Sequence, residues 1–364
     1  MAFQIFIVPL RPISLIWHNK NLFIMLNFKK LYPWGLGVFC VAIVGMIVLY
    51  TLAPASKLSE TAYLYIDKDD NIDSIAARLD TICHNYGTAG ILTMARHTGY
   101  ADHIRSGRYE IKPTDGAFFI YRNLRNGHQS AVKLTIPSVR TTDKLAEAMA
   151  GKLMMTKDDL MAYLTSNDSL APFKRDTTHA VCLFIPNTYE VYWNISPKQF
   201  LQRMSDEAKA FWNGSRAAQA QALGLTTDEV ITLASIIDEE TANDAEKPMI
   251  AGMYYNRLRK GMPLQADPTV KYALGDFSLK RIYNNMLRTV SPYNTYMNVG
   301  LPPGPIRIPT VAGIDAVLNM TKHDYLYMCA KEDFSGKHNF ARTYQEHLAN
   351  AAKYSAALNA RKIK

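Results

Sequence analysis

The run Leu233-Ala234-Ser235-Ile236-Ile237-Asp238-Glu239-Glu240-Thr241 decides how this chain is read, because three consecutive acids close an otherwise apolar segment. Thr226 or Thr227 stands where a helix N-cap is expected, with Asp228 and Glu229 in the first turn, where the helix dipole favours negative charge. Val230, Leu233, Ala234 and Ile237 mark the expected buried stripe. At about 100° per residue, Glu240 lies nearest that stripe, Asp238 further round, and Glu239 almost opposite, toward solvent. One acid of the three is therefore set to stand partly in an apolar environment, which raises a carboxyl pKa. A carboxyl still protonated near neutrality is a candidate general acid. Pattern alone leaves open the plainer alternative of a salt-bridged or surface glutamate.

Downstream, a second helix is expected from about residue 244 to 260, with Pro248 confined to its first turn. Met249, Ile250, Met253 and Leu258 form its buried side, Asn256 borders that side, and Gly261 ends it. Residues 261–269 read as a turn-rich loop in which Gln265, Asp267 and Thr269 suit hydroxyl and amide groups; Asp267 before Pro268 can equally serve to fix a turn. Residues 291–305 place Tyr293, Asn294 and Thr295 ahead of Leu301-Pro302-Pro303-Gly304, a composition that excludes long regular structure and suits one wall of a cleft. Tyr325 to Met328 read as a strand, residues 336–340 as a hairpin, and the remainder as a helix. His338 and His347 have no partners at metal-ligand spacing, so no metal site is expected.

Upstream, residues 34–53 run for 20 positions without a charge, enough to cross a bilayer as a helix. Lys29 and Lys30 precede the run, and Trp34 and Tyr50 lie near its ends, which puts the N-terminus in the cytoplasm and everything after residue 54 outside it. Ala53-Pro54-Ala55 resembles a cleavage site, but the run exceeds the core of a signal peptide and reads as a retained anchor. Residues 1–33 form a cytoplasmic lead, of which 1–24 look like an over-extended start ahead of Met25. Residues 55–135 follow as a small α+β module: a strand at 62–66, helices near 72–79 and 90–98, and a strand at 107–111. A helix at 117–124 closed by Gly127, a strand at 132–136 and a helix led by Asp143 come next. Residues 136–364 make the second domain. Within it, residues 183–193 read as an aromatic-rich turn or loop, and residues 200–214 and 216–223 as helices.

An apolar share of 48% supports a sizeable core. The formal net charge is +9, and the four cations of residues 1–53 leave +5 for the rest, a mild excess compatible with an acidic polymer. No basic run with interleaved aromatics marks a nucleic-acid groove, so no nucleic-acid partner is expected. Cys40, Cys83, Cys182 and Cys329 lie far apart and read as buried or isolated thiols, with one disulfide left open for an exported domain.

In its second half the chain resembles the endolytic murein transglycosylases of the MltG (YceG-like) family. The resemblance is carried by residues 233–242, by Tyr255-Asn256-Arg257-Leu258 with Gly261-Met262, and by Leu264-Gln265-Ala266-Asp267-Pro268-Thr269-Val270. It continues through Tyr293-Asn294-Thr295-Tyr296, Gly300-Leu301-Pro302-Pro303-Gly304 and Gly336-Lys337-His338-Asn339-Phe340, with Thr343, Glu346 and His347. In order and spacing these cover roughly residues 230–347. Gly107 to Ile111 and Phe184 to Tyr189 are looser matches. Two departures stand out: Asn187, where the family usually has Asp, and Ser138-Val139, where it usually has Glu-Gly.

The resemblance implies a single-pass protein of the inner membrane with its C-terminal part in the periplasm, a LysM-like βααβ module and a mixed α/β catalytic domain. It implies non-hydrolytic cleavage of nascent peptidoglycan strands between MurNAc and GlcNAc, leaving 1,6-anhydro-MurNAc ends, with no cofactor. It makes Glu240 the catalytic acid and then base. Asn256, Gln265, Asp267, Tyr293, Asn294 and Thr295 are expected to position substrate, and peptidoglycan synthases are expected as further partners. Two alternatives stay open: a lysozyme-like hydrolase using Asp267 or Asp238 as base, and a non-catalytic glycan-binding scaffold.

Overall fold

The computed structural model describes residues 34–279 and 281–361. The lead of residues 1–33 lies outside the described residues. The chain divides into two compact units, Met1–Ser130 and Ala131–Lys364.

The first unit begins with helix α1 (Trp34–Thr51), whose side chains are almost all exposed and apolar, with a mean hydropathy of 2.1. It is long and apolar enough to cross a bilayer. Strand β1 (Ala62–Ile66) pairs antiparallel with β2 (Gly107–Ile111), Ala62 opposite Ile111 and Ile66 opposite Gly107. Between them lie α2 (Ile72–Ile82) and α3 (Asn85–His97), and α4 (Ala117–Asn126) follows. The α2 N-terminus is set by a capping box: Asn71 Oδ1 accepts from the Ser74 amide while Ser74 Oγ accepts from the Asn71 amide. Gly127 ends α4 in the left-handed conformation, φ +70°, as a C-terminal glycine should. Leu64, Ile66, Leu79, Ile91, Tyr109 and Leu124 fill the core that these elements share.

The second unit holds two packed clusters. In the first, β3 (Val132–Thr135) pairs antiparallel with β4 (Thr188–Val191). Helices α5 (Thr142–Ala150), α6 (Lys157–Leu164), α7 (Asn167–Leu170) and α8 (Pro197–Trp212) accompany that pair, burying Leu145, Leu160, Phe184 and Phe200. Two sequence expectations change here. Residues 183–193 are not simply a loop, because β4 arises from a partner strand more than fifty residues away, which local pattern cannot reveal. Helix α5 is capped by Thr141 rather than Asp143.

The second cluster surrounds α10 (Thr227–Glu240), which follows α9 (Ser215–Ala222) and is flanked by α11 (Lys247–Arg259) and α13 (Val311–Leu318). Thr226 and Glu229 form its capping box. Every residue from Val230 to Ile237 is buried, so α10 is a central helix rather than one with a single apolar stripe. Its two polar members are satisfied internally: Thr232 Oγ1 donates to Asp228 O, and Ser235 Oγ donates to Thr232 O while accepting from the Ile306 amide. Pro248 falls in the first turn of α11, where its missing N–H costs nothing. Gly261, at φ +65°, closes α11, with the Met262 amide donating to Arg257 O and the Gly261 amide to Leu258 O. Helix α12 (Asp267–Leu274) starts inside the segment expected to be loop, again with Pro268 in its first turn. The antiparallel hairpin β5 (Tyr327–Ala330) and β6 (His338–Ala341) packs on α14 (Tyr344–Ala360).

Candidate functional site

Helix α10 ends in three carboxylates, although the negative end of a helix dipole disfavours anions. Two of them are neutralised. Asp238, its side chain 2% exposed, pairs with Lys247 Nζ at 2.7 Å and accepts from the Thr310 amide and hydroxyl at the start of α13. Glu239 takes a bidentate contact from Arg140 at 2.8 and 2.9 Å and another from Arg307 at 2.9 Å. Its side chain is 11% exposed, so it does not point to solvent as helical geometry suggested; distant arginines cover it.

The third, Glu240, has no ion-pair partner among the described residues. Its carboxyl lines a cavity of about 360 Å³. Tyr254, two turns into α11, donates its hydroxyl to Glu240 Oε1 at 2.6 Å. Burial dominates its protonation and pushes the carboxyl up to about 7. The Tyr254 hydrogen bond opposes that rise, the Asp267 charge adds to it, and His338 and Lys271 pull the other way. The residue keeps intermediate exposure because solvent still reaches it through the cavity, while protein surrounds the carboxyl otherwise. The Tyr254 phenol is held well above its ordinary value by burial and by Glu240, so it stays a donor.

Gln265 and Asp267 share this cavity with Glu240. Gln265 adopts φ +51°, a left-handed conformation that costs a non-glycine residue energy and persists only when its surroundings enforce it. Here its amide donates to Thr295 O, and Arg257 fastens the preceding residues by donating to Leu264 O at 2.6 Å and Pro263 O at 3.2 Å. Asp267 Oδ1 accepts from the Tyr296 hydroxyl at 2.6 Å.

The other expected binding residues do not line the cavity; they build it. Asn256 donates through Nδ2 to His323 O and Tyr325 O. Arg257 Nε donates to Leu326 O, so the two neighbours clamp the strand leading into β5. Asn294 is fully buried and donates to Leu287 O and Thr289 O, while its Oδ1 accepts the Tyr296 amide. That contact sets the tyrosine which holds Asp267. Thr295 Oγ1 accepts the Ala266 amide and meets Thr269 Oγ1 at 2.9 Å. Tyr293 packs against Tyr272 with the rings tilted at 45° and their centroids 4.8 Å apart. Asn294 and Thr295 were expected to serve substrate from a polar loop and Asn256 from a helix flank; in each the polar side chain serves backbone groups that need partners.

Sequence reasoning missed Tyr254, Tyr296, His338 and the aromatic wall of Tyr327, Tyr344 and His347. A signal for Tyr254 did exist, since it follows Ile250 by four on the buried side of α11. Of the two departures from the family pattern, Asn187 accepts the Thr188 amide at the head of β4. Ser138 donates to Ile308 O and, with Val139, borders a separate groove alongside Arg140 and Arg307. Neither reaches the cavity of Glu240. Among the described residues no group of His, Cys, Asp and Glu is arranged to hold a metal.

The second unit is thus a mixed α+β fold built on a buried helix that delivers one unpaired carboxyl to a cleft. Comparison supplies the family: the model of the YceG-like family matches residues 64–353, and the chain belongs to that family. A protein of Bacillus subtilis described as an endolytic murein transglycosylase is 42% identical over 135 residues, covering 37% of this chain and 37% of that protein. One of the same description from Streptococcus pneumoniae is 28% identical over 297 residues, covering 71% of this chain and 52% of that protein. The chain therefore spans about half or less of these curated relatives. A solved structure of a YceG-like protein from Listeria monocytogenes superposes with a TM-score of 0.55 at 25% identity, covering 80% of this chain and 99% of that one.

Proposed function

We propose that this chain is an endolytic murein transglycosylase that cuts peptidoglycan strands between MurNAc and GlcNAc, with Glu240 as acid and then base. The observation that carries the reading is a carboxyl raised to about 7 in a cavity, with no cation paired to it among the described residues. The relatives named above support the substrate class.

The chemistry is balanced by one group. Protonated Glu240 gives its proton to the glycosidic oxygen as the bond from C1 to that oxygen breaks. Its carboxylate then takes the proton of the C6 hydroxyl as O6 bonds to C1, leaving a 1,6-anhydro end and regenerating the acid. No water enters and no cofactor takes part. The Tyr254 hydroxyl steadies the carboxylate between the two steps. Gln265 and Asp267 hold sugar hydroxyl and amide groups. Asn256, Tyr293, Asn294 and Thr295 shape the walls that present them.

In the same reading α1 anchors the chain in the inner membrane with everything after residue 54 in the periplasm. The small βααβ unit is a LysM-like glycan-contact module spanning residues 55–135, ahead of a catalytic domain at 136–364. Exposed Tyr65 on β1 offers it a stacking ring, beside Tyr63, over which Arg108 lies 3.5 Å from the ring centroid. Peptidoglycan synthases are the natural partners of an enzyme that limits strand length.

One observation favours a second reading. Asp267 shares the cavity, so a hydrolase with Glu240 as acid and Asp267 as base has its two carboxyls at hand. Full-length protein in detergent, incubated with uncrosslinked glycan strands, separates the two by the mass of the new ends. Ends one water lighter than the hydrolytic product support the transglycosylase; hydrated ends support the hydrolase.

A further inference from the structure

Glu246, just ahead of α11, is buried, its side chain 9% exposed, and it spends both carboxylate oxygens on one residue. Its Oε1 accepts the backbone amide of His338 at 2.7 Å, and its Oε2 lies 2.9 Å from His338 Nδ1. His338 opens strand β6 opposite Ala330 of β5, and the Glu246 clamp comes in addition to that ladder contact. A carboxylate oxygen can only accept, so Nδ1 carries a proton; when the ring is neutral that is its only proton, and Nε2 keeps a free lone pair. His338 lines the cavity of Glu240, and its Nε2 has no protein partner among the described residues and is not sealed from solvent. The neighbouring histidine of the cavity differs. His347 packs against Tyr327, with ring centroids 5.5 Å apart, and its Nδ1 is sealed without a partner.

We propose that His338 is a substrate-contacting residue of this cavity, and that Glu246 positions it so that Nε2 accepts a hydrogen bond from a hydroxyl or acetamido N–H of an N-acetylhexosamine unit. A sugar bound against Glu240 needs an acceptor as well as donors, because each of its hydroxyls and its amide N–H loses water on entering the cavity. Gln265 and Asp267 stand on α12 and the loop before it; His338 supplies an acceptor from the hairpin. The inference rests on the sugar-binding reading of the site, not on the order of proton transfers.

The test uses full-length protein in detergent with nitrogen-labelled histidine. His338→Asn keeps an amide donor for Glu246 and removes the atom in the Nε2 position. It is expected to retain the wild-type unfolding temperature and to cleave glycan strands about tenfold more slowly. Glu246→Gln presents an amide donor to Nδ1, and is expected to move the ring proton to Nε2, visible in the histidine nitrogen resonances, with a comparable loss of rate. Independently of turnover, adding a GlcNAc–MurNAc strand to the Glu240→Gln protein is expected to shift the His338 Nε2 resonance. Wild-type rates in His338→Asn, or a relocated proton with an unchanged rate, overturn the proposal. If the wild type cleaves no strand, the transglycosylase reading falls by itself; the resonance shift still supports the contact, and its absence overturns it.

Discussion

Glu240 carries the account at the scale of single residues. Burial raises its carboxyl from the ordinary 4.5 to about 7, so activity that starts from the protonated acid should decline as pH rises through about 7. Tyr254→Phe removes the hydrogen bond that favours the carboxylate, and should move that alkaline inflection upward; an unmoved inflection in a pH–rate profile would remove Tyr254 from the scheme. The same residue links to stability. Between pH 4.5 and about 7 the folded chain keeps a proton that the unfolded chain has released, so this contribution is present at low pH and is lost as pH rises through about 7. Glu240→Gln ends that dependence. It should unfold at higher denaturant than wild type above pH 7, by up to about 3 kcal/mol, and match it near pH 4. Helical periodicity did single out Glu240 among three neighbouring acids. What it could not show was where the cations stood: Arg140, Lys247 and Arg307, which occupy the other two, come from segments far away in sequence.

At the scale of elements, α10 and α11 are held together by charges inside a core. Lys247 is 5% and Asp238 2% exposed in their side chains, and removing one partner of such a pair leaves the other buried and unmatched. Lys247→Met should cost about 3–5 kcal/mol in denaturant unfolding, and Lys247→Met with Asp238→Leu distinctly less. A double variant no better than the single would show that the pair does not act as a unit. Asn294→Ala should cost about 1–3 kcal/mol, because it takes the buried amide partner from Leu287 O and Thr289 O in a partly exposed loop; it should also slow cleavage by loosening Tyr296 and Asp267. Local signals were legible at this scale: capping at Thr226, Pro248 at a helix start and Gly261 at a helix end follow from backbone chemistry within a few residues. Helix α12 was hidden because Asp267-Pro268 reads equally as a turn and as a first helical turn.

Across the whole molecule, the two units have separate cores. The first was easily read because its antiparallel pair closes around two consecutive helices, and each element shows its own period. The second was not, because β3 meets β4 across α5, α6 and α7, and α10 is buried on every side by segments up to residue 318. Periodicity reports one face of a helix; it cannot report that the opposite face is covered too. Separate cores predict separate responses. Leu79→Ala should lower the unfolding temperature of the first unit, at a cost of about 2–5 kcal/mol, and leave the transition of the second in place. Calorimetry of the full chain would show it, and a joint shift of both transitions would contradict it.

The central claim is that one carboxyl performs both proton transfers and that no water enters the product. Cleavage of uncrosslinked glycan strands in water enriched in heavy oxygen tests it directly, with wild type and Glu240→Gln side by side. The account predicts new ends free of the heavy isotope from the wild type and no cleavage from the variant. Heavy oxygen in the new ends, or cleavage that survives Glu240→Gln, would contradict it.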